Sequence, residues 1–209
     1  MDTCRKMYRP EDPVAVEYHD NEWCKPCHDD RAMFELLCLE GASVGLSWAA
    51  ILHKRETYRK AFHGFDIDRC AAMSDAELEL ALANPCIIRN KGKVLSVRKN
   101  ALAVKRIQSE FGSFDAYAWG FSGGKTIDGH WKTPQSIPTV SPVSIAMSKD
   151  MKKRGMSFVG PTITYSFLQS VGIVNDHLAG CPWRNFRTFL ETTGLLRRSA
   201  FTGIRFAAD

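Results

Sequence analysis

Between Lys91 and Phe111 an apolar residue recurs every three or four positions: Val94, Val97, Ala101, Val104, Ile107 and Phe111. That period matches one face of an α-helix and no face of a strand, so the stripe predicts one long helix with its apolar side turned to a core. Lys91, Lys93, Arg98, Lys99, Lys105 and Arg106 occupy the intervening positions. Nowhere outside the helical segments does strict alternation persist beyond four residues. The chain therefore reads as all-α, with its remaining segments marked off by helix start and stop signals.

Those signals are specific. Ser47 caps a helix carrying Trp48, Ile51, Leu52 and Phe62 inward, with Arg55 and Arg59 outside the stripe. Ser74 followed by Glu77 is a capping box, and Asn84-Pro85 stops that helix. Ser141-Pro142 opens a helix that Gly155 closes, and Pro161 to Val171 forms another with Gly172 at its end. Gly120 to Val140 reads as a long loop, and the tail after Arg187, with Arg197, Arg198 and Arg205, as a short helix or a frayed end. The expected organisation is one domain over residues 1–186, with lobes at about 50–140 and in the combined ends, followed by the tail 187–209.

Composition narrows the class. A chain of 209 residues with 44% hydrophobic and 24% charged residues can build a core unaided, which excludes disordered and low-complexity classes. Its net charge of +5 favours a polyanionic partner without proving one. The start, MDTCRKMYRPEDP, lacks the apolar stretch of an export signal, and no run is long enough to span a membrane. Seven cysteines, an odd number, point to reduced thiols or metal ligands and so to a cytoplasmic protein.

Three clusters carry chemistry. His177 and Cys181 stand four positions apart, a spacing that zinc sites use, and Cys4 with His19 could complete a closed structural set. The competing reading is a surface histidine and a buried thiol. Cys24-Lys-Pro-Cys27-His28 has the haem-attachment spacing, and it also admits a second metal, redox chemistry or simple proximity in a loop. Tyr18, Trp23, Glu40 and Trp48 gather a carboxylate and large flat rings around small residues, with Glu40-Gly41 ending an apolar helix. A desolvated acid beside flat rings makes a slot for a planar, electron-poor heterocycle such as a nucleotide base swung out of a duplex. The plainer alternative is core tryptophans and a salt-bridged glutamate.

Several blocks together are similar to the signature of the type I 3-methyladenine DNA glycosylases. They are Tyr18-His-Asp-Asn-Glu-Trp23, Leu39-Glu-Gly41, Gly45-Leu-Ser-Trp48, Lys54-Arg-Glu56, Ile87-Ile-Arg-Asn-Lys-Gly-Lys93, Lys152-Lys-Arg-Gly155, Phe158-Val-Gly160 and Val174-Asn-Asp-His177. The resemblance runs from Cys4 to Cys181 and implies a two-lobed helix-hairpin-helix fold. It implies one structural Zn2+ on Cys4, His19, His177 and Cys181, joining the two ends of the chain. It further implies excision of 3-methyladenine from double-stranded DNA, with Glu40 as the catalytic carboxylate and Tyr18, Trp23 and Trp48 around the base. DNA contacts fall on Lys152, Lys153, Arg154, Gly155 and Gly160; free 3-methyladenine is the product, with no lyase step. The protein is expected to act as a monomer, away from membranes.

Two departures touch the slot. Cys24 stands where the family usually has glycine, and Ala42-Ser43 replaces polar amides. Asn175 occupies the position of the aspartate that many helix-hairpin-helix glycosylases use, while Asp176 is a candidate helix cap or partner of His177. A metal-stapled DNA-binding module without activity is the alternative reading of the same residues.

Overall fold

The computed structural model describes Cys4 and residues 10–185. Among these, ten α-helices carry the fold. They are α1 (Pro13–Asn21), α2 (Asp30–Ser43), α3 (Trp48–Leu52), α4 (Arg55–Ala61) and α5 (Ile67–Ala72), then α6 (Asp75–Ala83), α7 (Lys91–Phe111), α8 (Phe114–Gly120), α9 (Pro142–Lys153) and α10 (Pro161–Ser170). The tail 187–209 lies outside the described residues.

The long helix forms where its stripe requires. Asn90 caps α7 by accepting the Lys93 N–H at 3.1 Å, and Gly112, at φ 87°, ends it. Val94, Val97, Ala101, Val104 and Ile107 are buried against α5, α6, α8 and α2. Phe111 departs from the expected stripe: it is 43% exposed, and lies against Tyr117 beneath the Arg154 guanidinium. The second structural axis is α2, buried on nearly all sides from Met33 to Ala42, because α7, α8 and α10 each pack on a different flank. An all-round apolar helix is stable only when enclosed in this way.

The capping boxes at Ser74 and Ser141 are present, and Gly155 and Gly172 adopt the positive φ expected of helix stops. The single helix expected after Ser47 is instead α3 and α4, broken at His53 and Lys54. Arg55, expected outside the stripe, turns inward to pair with Glu22 and Glu35, and a straight continuation of α3 gives way to that ion network. The loop 120–140 contains one short ladder: β1 (Ile127–Asp128) pairs in parallel with β2 (Val174–Asn175), too brief to leave an alternating signature.

The Cys24–His28 segment proves to be a brace for the end of α10. The Cys24 and Cys27 amides donate to the carbonyls of Gln169 and Val171, satisfying acceptors that the helix end leaves open. Trp119 Nε1 donates to the Cys27 carbonyl at 3.1 Å, and His28 stacks on the same indole with ring centroids 4.6 Å apart. The Cys24 thiol is buried, accepts the Asp176 amide at 3.3 Å, and sits on a backbone at φ 60°. Glycine adopts this left-handed geometry without strain, and Cys24 holds it with a side chain. These contacts favour the loop-proximity reading of the C-x-x-C-H spacing.

Gly172 is fixed by the same brace. A methyl group there would stand 2.2 Å from the Lys25 carbonyl carbon, on a backbone at φ 73°. Gly172→Ala is therefore expected to cost more than about 3 kcal/mol by combining a backbone clash with left-handed strain. Urea denaturation checks this, and an unchanged midpoint would contradict the close approach.

Candidate functional site

Glu40 sits in the last turn of α2, which runs to Ser43 and not merely to Glu40-Gly41. Gly41 stays helical because Phe158 needs the space: a Cβ on Gly41 would lie 3.2 Å from the Phe158 Cβ. The Phe158 ring also covers Gly92 at the start of α7, where an added Cβ would lie 3.3 Å from Cζ. Phe158 itself has φ 59°. One aromatic side chain, with two glycines making room for it, thus docks the α9–α10 turn beside Glu40. The sequence showed Phe158 only as part of a block; the glycine in each of two other blocks was the available signal.

Glu40 is 6% exposed, and no described side chain pairs with its carboxylate. Burial pushes its pKa up to about 8, because no neighbouring cation or donor compensates for lost hydration. The Tyr18 and Trp48 rings meet edge-on at 5.3 Å and 60°, and the buried Trp48 Nε1 has no partner. Burial raises the Tyr18 phenol well above its ordinary range, and the proximity of Glu40 adds to the shift. An uncompensated acid, an unpaired indole N–H and an aromatic pair make a site that can hold a flat ring with donors and acceptors at its rim.

Trp23 faces elsewhere with its ring. It stacks on His19 at 5.7 Å and meets His177 edge-on at 4.8 Å, tied to the Tyr18 carbonyl through its amide. Next to it lie Cys4, His19, His177 and Cys181, all buried, with their ligand atoms within 4.8 Å of one another. The Sγ–N separations are 3.4 Å (Cys181–His177), 3.7 Å (Cys4–His177) and 3.8 Å (Cys181–His19). A tetrahedral centre with bonds of about 2.0 Å to nitrogen and 2.3 Å to sulfur has edges of about 3.6 Å between unlike ligands. The outer ring nitrogens are occupied: His19 Nδ1 pairs with Asp20 at 2.8 Å, and His177 Nε2 with the Trp23 carbonyl at 3.2 Å. That leaves His19 Nε2 and His177 Nδ1 turned inward as ligand atoms. Burial pulls the His177 pKa down to about 3, so the ring is neutral at physiological pH, as ligation requires. The donor set fits a metal ion.

Asp176 serves neither as a helix cap nor as a partner of His177. Its carboxylate, wholly buried, accepts from Trp131 Nε1 at 2.6 Å, the Tyr165 hydroxyl at 2.5 Å and Gln169 Nε2 at 2.7 Å. Asn175 accepts the His177 amide and donates to the Arg184 carbonyl. Both residues are committed to holding the loop that carries His177.

The turn between α9 and α10 is tightly held. Asn100 clamps the Ser157 backbone through both amide atoms, and Ser148 and Thr164 donate to the Val159 carbonyl. Lys152 and Lys153 are exposed. Arg154, expected beside them as a DNA contact, is paired with Glu110 at 2.6 Å and Asp150 at 2.5 Å and lies over Phe111 and Tyr117. Its charge is engaged within the fold. Gly160 caps α10 with open space where a side chain would stand.

The helical scaffold brings a buried, uncompensated carboxyl close to an aromatic pair. The chain belongs to the methyladenine glycosylase family, whose members are enzymes: the family model matches residues 8–185. It is 43% identical over 171 residues to DNA-3-methyladenine glycosylase 1 of Escherichia coli, covering 82% of this chain and 91% of that one. It is 41% identical over 180 residues to DNA-3-methyladenine glycosylase of Haemophilus influenzae, covering 86% and 97%. A crystal structure of a 3-methyladenine DNA glycosylase I variant in complex with 3-methyladenine superposes with a TM-score of 0.85 at 33% identity, covering 88% of this chain and 98% of that one. No helix among the described residues is long and apolar enough to cross a membrane.

Proposed function

We propose that this protein excises 3-methyladenine from alkylated double-stranded DNA, leaving an abasic site, as the first step of base-excision repair in the cytoplasm. The observation that carries the reading is Glu40, an acid buried without compensation beside the Tyr18–Trp48 pair.

The chemistry follows from the charge on the lesion. Methylation at N3 makes the attached base cationic, so breaking the C1′–N9 bond releases a neutral purine, an easy departure. Water adds to C1′, its surplus proton passes to solvent, and the products are an abasic sugar and free 3-methyladenine. The protein's task is capture and discrimination. A cationic ring is drawn to aromatic faces more strongly than neutral adenine is. The same positive charge lowers the cost of ionising Glu40, whose carboxylate then accepts from the exocyclic amine. Tyr18 and Trp48 form the walls, and Trp23 supports them from the metal side. No lysine is assigned as a covalent nucleophile, so no strand cleavage accompanies release.

The metal cluster is read as a structural zinc site. Cys4, His19, His177 and Cys181 fill all four positions, so the ion's contribution is to join the ends of the chain and not to activate water. The α9–α10 pair is read as the helix-hairpin-helix element, and residues 1–186 as one glycosylase domain whose lobes are about 50–140 and the combined ends. Gly155 and Gly160 let backbone amides approach a phosphate, and Lys152 and Lys153 add attraction independent of base sequence. The protein acts as a monomer in this reading.

The test is direct. Duplex DNA treated with a methylating agent is expected to yield free 3-methyladenine and heat-labile abasic sites when the native protein is added. DNA binding with no released base would instead make the chain a silent binding module.

A further inference from the structure

Helix α7 begins with cations where its own dipole disfavours them. Its first turn contains Lys91 and Lys93 and no acidic residue, and Arg89 precedes the Asn90 cap. Positive charge at a helix N-terminus is destabilising, so such residues call for another explanation. Most other cations on this helix are spoken for. Lys93 donates to the Ala42 and Val44 carbonyls, Arg98 pairs with Asp75, and Lys105 pairs with Asp68. Arg89 and Lys91 are exposed and have no partner among the described residues.

Their position relative to the slot is set by packing. Gly92 lies under the Phe158 ring, whose Cβ stands against Gly41, the residue after Glu40. Lys93 ties the same turn of α7 to the last turn of α2 and the residue just after it. Eight residues on, Lys99 returns to the face of Lys91 and donates to Ser157 Oγ in the α9–α10 turn at 2.9 Å. The Lys91–Lys99 interval is about 12 Å along the helix, the rise of three to four nucleotides on one strand.

We propose that Arg89 and Lys91, continued by Lys99, form a second phosphate-holding track along α7, adjoining the α9–α10 turn that Lys99 touches. The inference rests on the glycosylase reading, since it supposes a DNA substrate whose base enters beside Glu40. A track on α7 next to the hairpin turn lengthens the stretch of backbone held beside the displaced nucleotide, which the hairpin alone does not reach.

The experiment compares native protein with Arg89→Ala/Lys91→Ala in binding to a DNA duplex over a range of salt concentrations. Each lost phosphate contact removes about 0.9 from the slope of log affinity against log salt, so the slope is expected to flatten by about 1.8 and affinity to fall roughly ten- to hundredfold at 0.1 M salt. Binding of free 3-methyladenine and the melting temperature are expected to stay at native values. An unchanged slope and affinity would overturn the track, as would loss of free-base binding, which would mean the residues act through the slot. Failure of the native protein itself to release base from methylated DNA would be distinct, and would remove the reading beneath both.

Discussion

Glu40→Gln is expected to lower base release by roughly ten- to a hundredfold, the effect of losing a hydrogen bond to a charged group, while making the protein more stable at alkaline pH. The two effects have one cause. Folding removes the Glu40 carboxyl from water with nothing to replace its hydration, so it holds its proton up to about 8. In the unfolded chain it loses that proton near 4.5. Between those values the folded state binds the extra proton, so the group makes stability fall as pH rises through the window. The amide never ionises and escapes the penalty, which reaches at most about 5 kcal/mol above pH 8. Urea denaturation of both proteins at pH 5, 7 and 9 would reveal a stability gap widening with pH. A constant gap would show that Glu40 is ordinarily hydrated. Undiminished release by the variant would remove it from the reaction.

Cys181→Ser is expected to abolish metal retention and to lower the melting temperature by about 10 °C or more. The cluster links Cys4 at one end of the chain to His177 and Cys181 near the other, with His19 from α1 between them. Metal binding to such a set is folding free energy, and losing several kcal/mol at this chain length shifts melting by about 2–4 °C per kcal/mol. A strong chelator should reproduce the shift in the native protein. Cys86→Ser, at an exposed thiol, should change neither property. Metal content of one ion per chain in native protein and near zero in the Cys181 variant is the decisive measurement. Equal content would place the ion elsewhere.

The helix boundaries were readable because caps are local chemistry. Ser74 with Glu77 and Ser141 with Pro142 each act within four residues, and both work as expected. The four-residue cluster was legible as well, through the His177–Cys181 spacing, although its partners Cys4 and His19 lie more than 150 residues away. What escaped were contacts across the chain. Arg154 was expected with Lys152 and Lys153 as a DNA contact, and its pairing with Glu110, on the last turn of α7, was not legible. Arg55 read as a surface residue and is drawn between Glu22 and Glu35. The C-x-x-C-H spacing admitted loop proximity, but the service of Cys24 and Cys27 to the end of α10 became visible only in the fold.

By itself the sequence determined the helical class, most helix ends, the residues able to bind a metal, and the set of rings and acid from which a slot could be assembled. All of these depend on interactions spanning a few positions, or on the chemical kinds of side chain present. Only the tertiary structure decided which of the cations are spent inside the fold, that α3 and α4 are separate, and that Phe158 locks Gly41 and Gly92 together beside Glu40. The reason is physical: a charge's partners and a carboxyl's hydration are set by whatever else occupies the surrounding few ångströms, and in a packed chain those neighbours come from any distance along it.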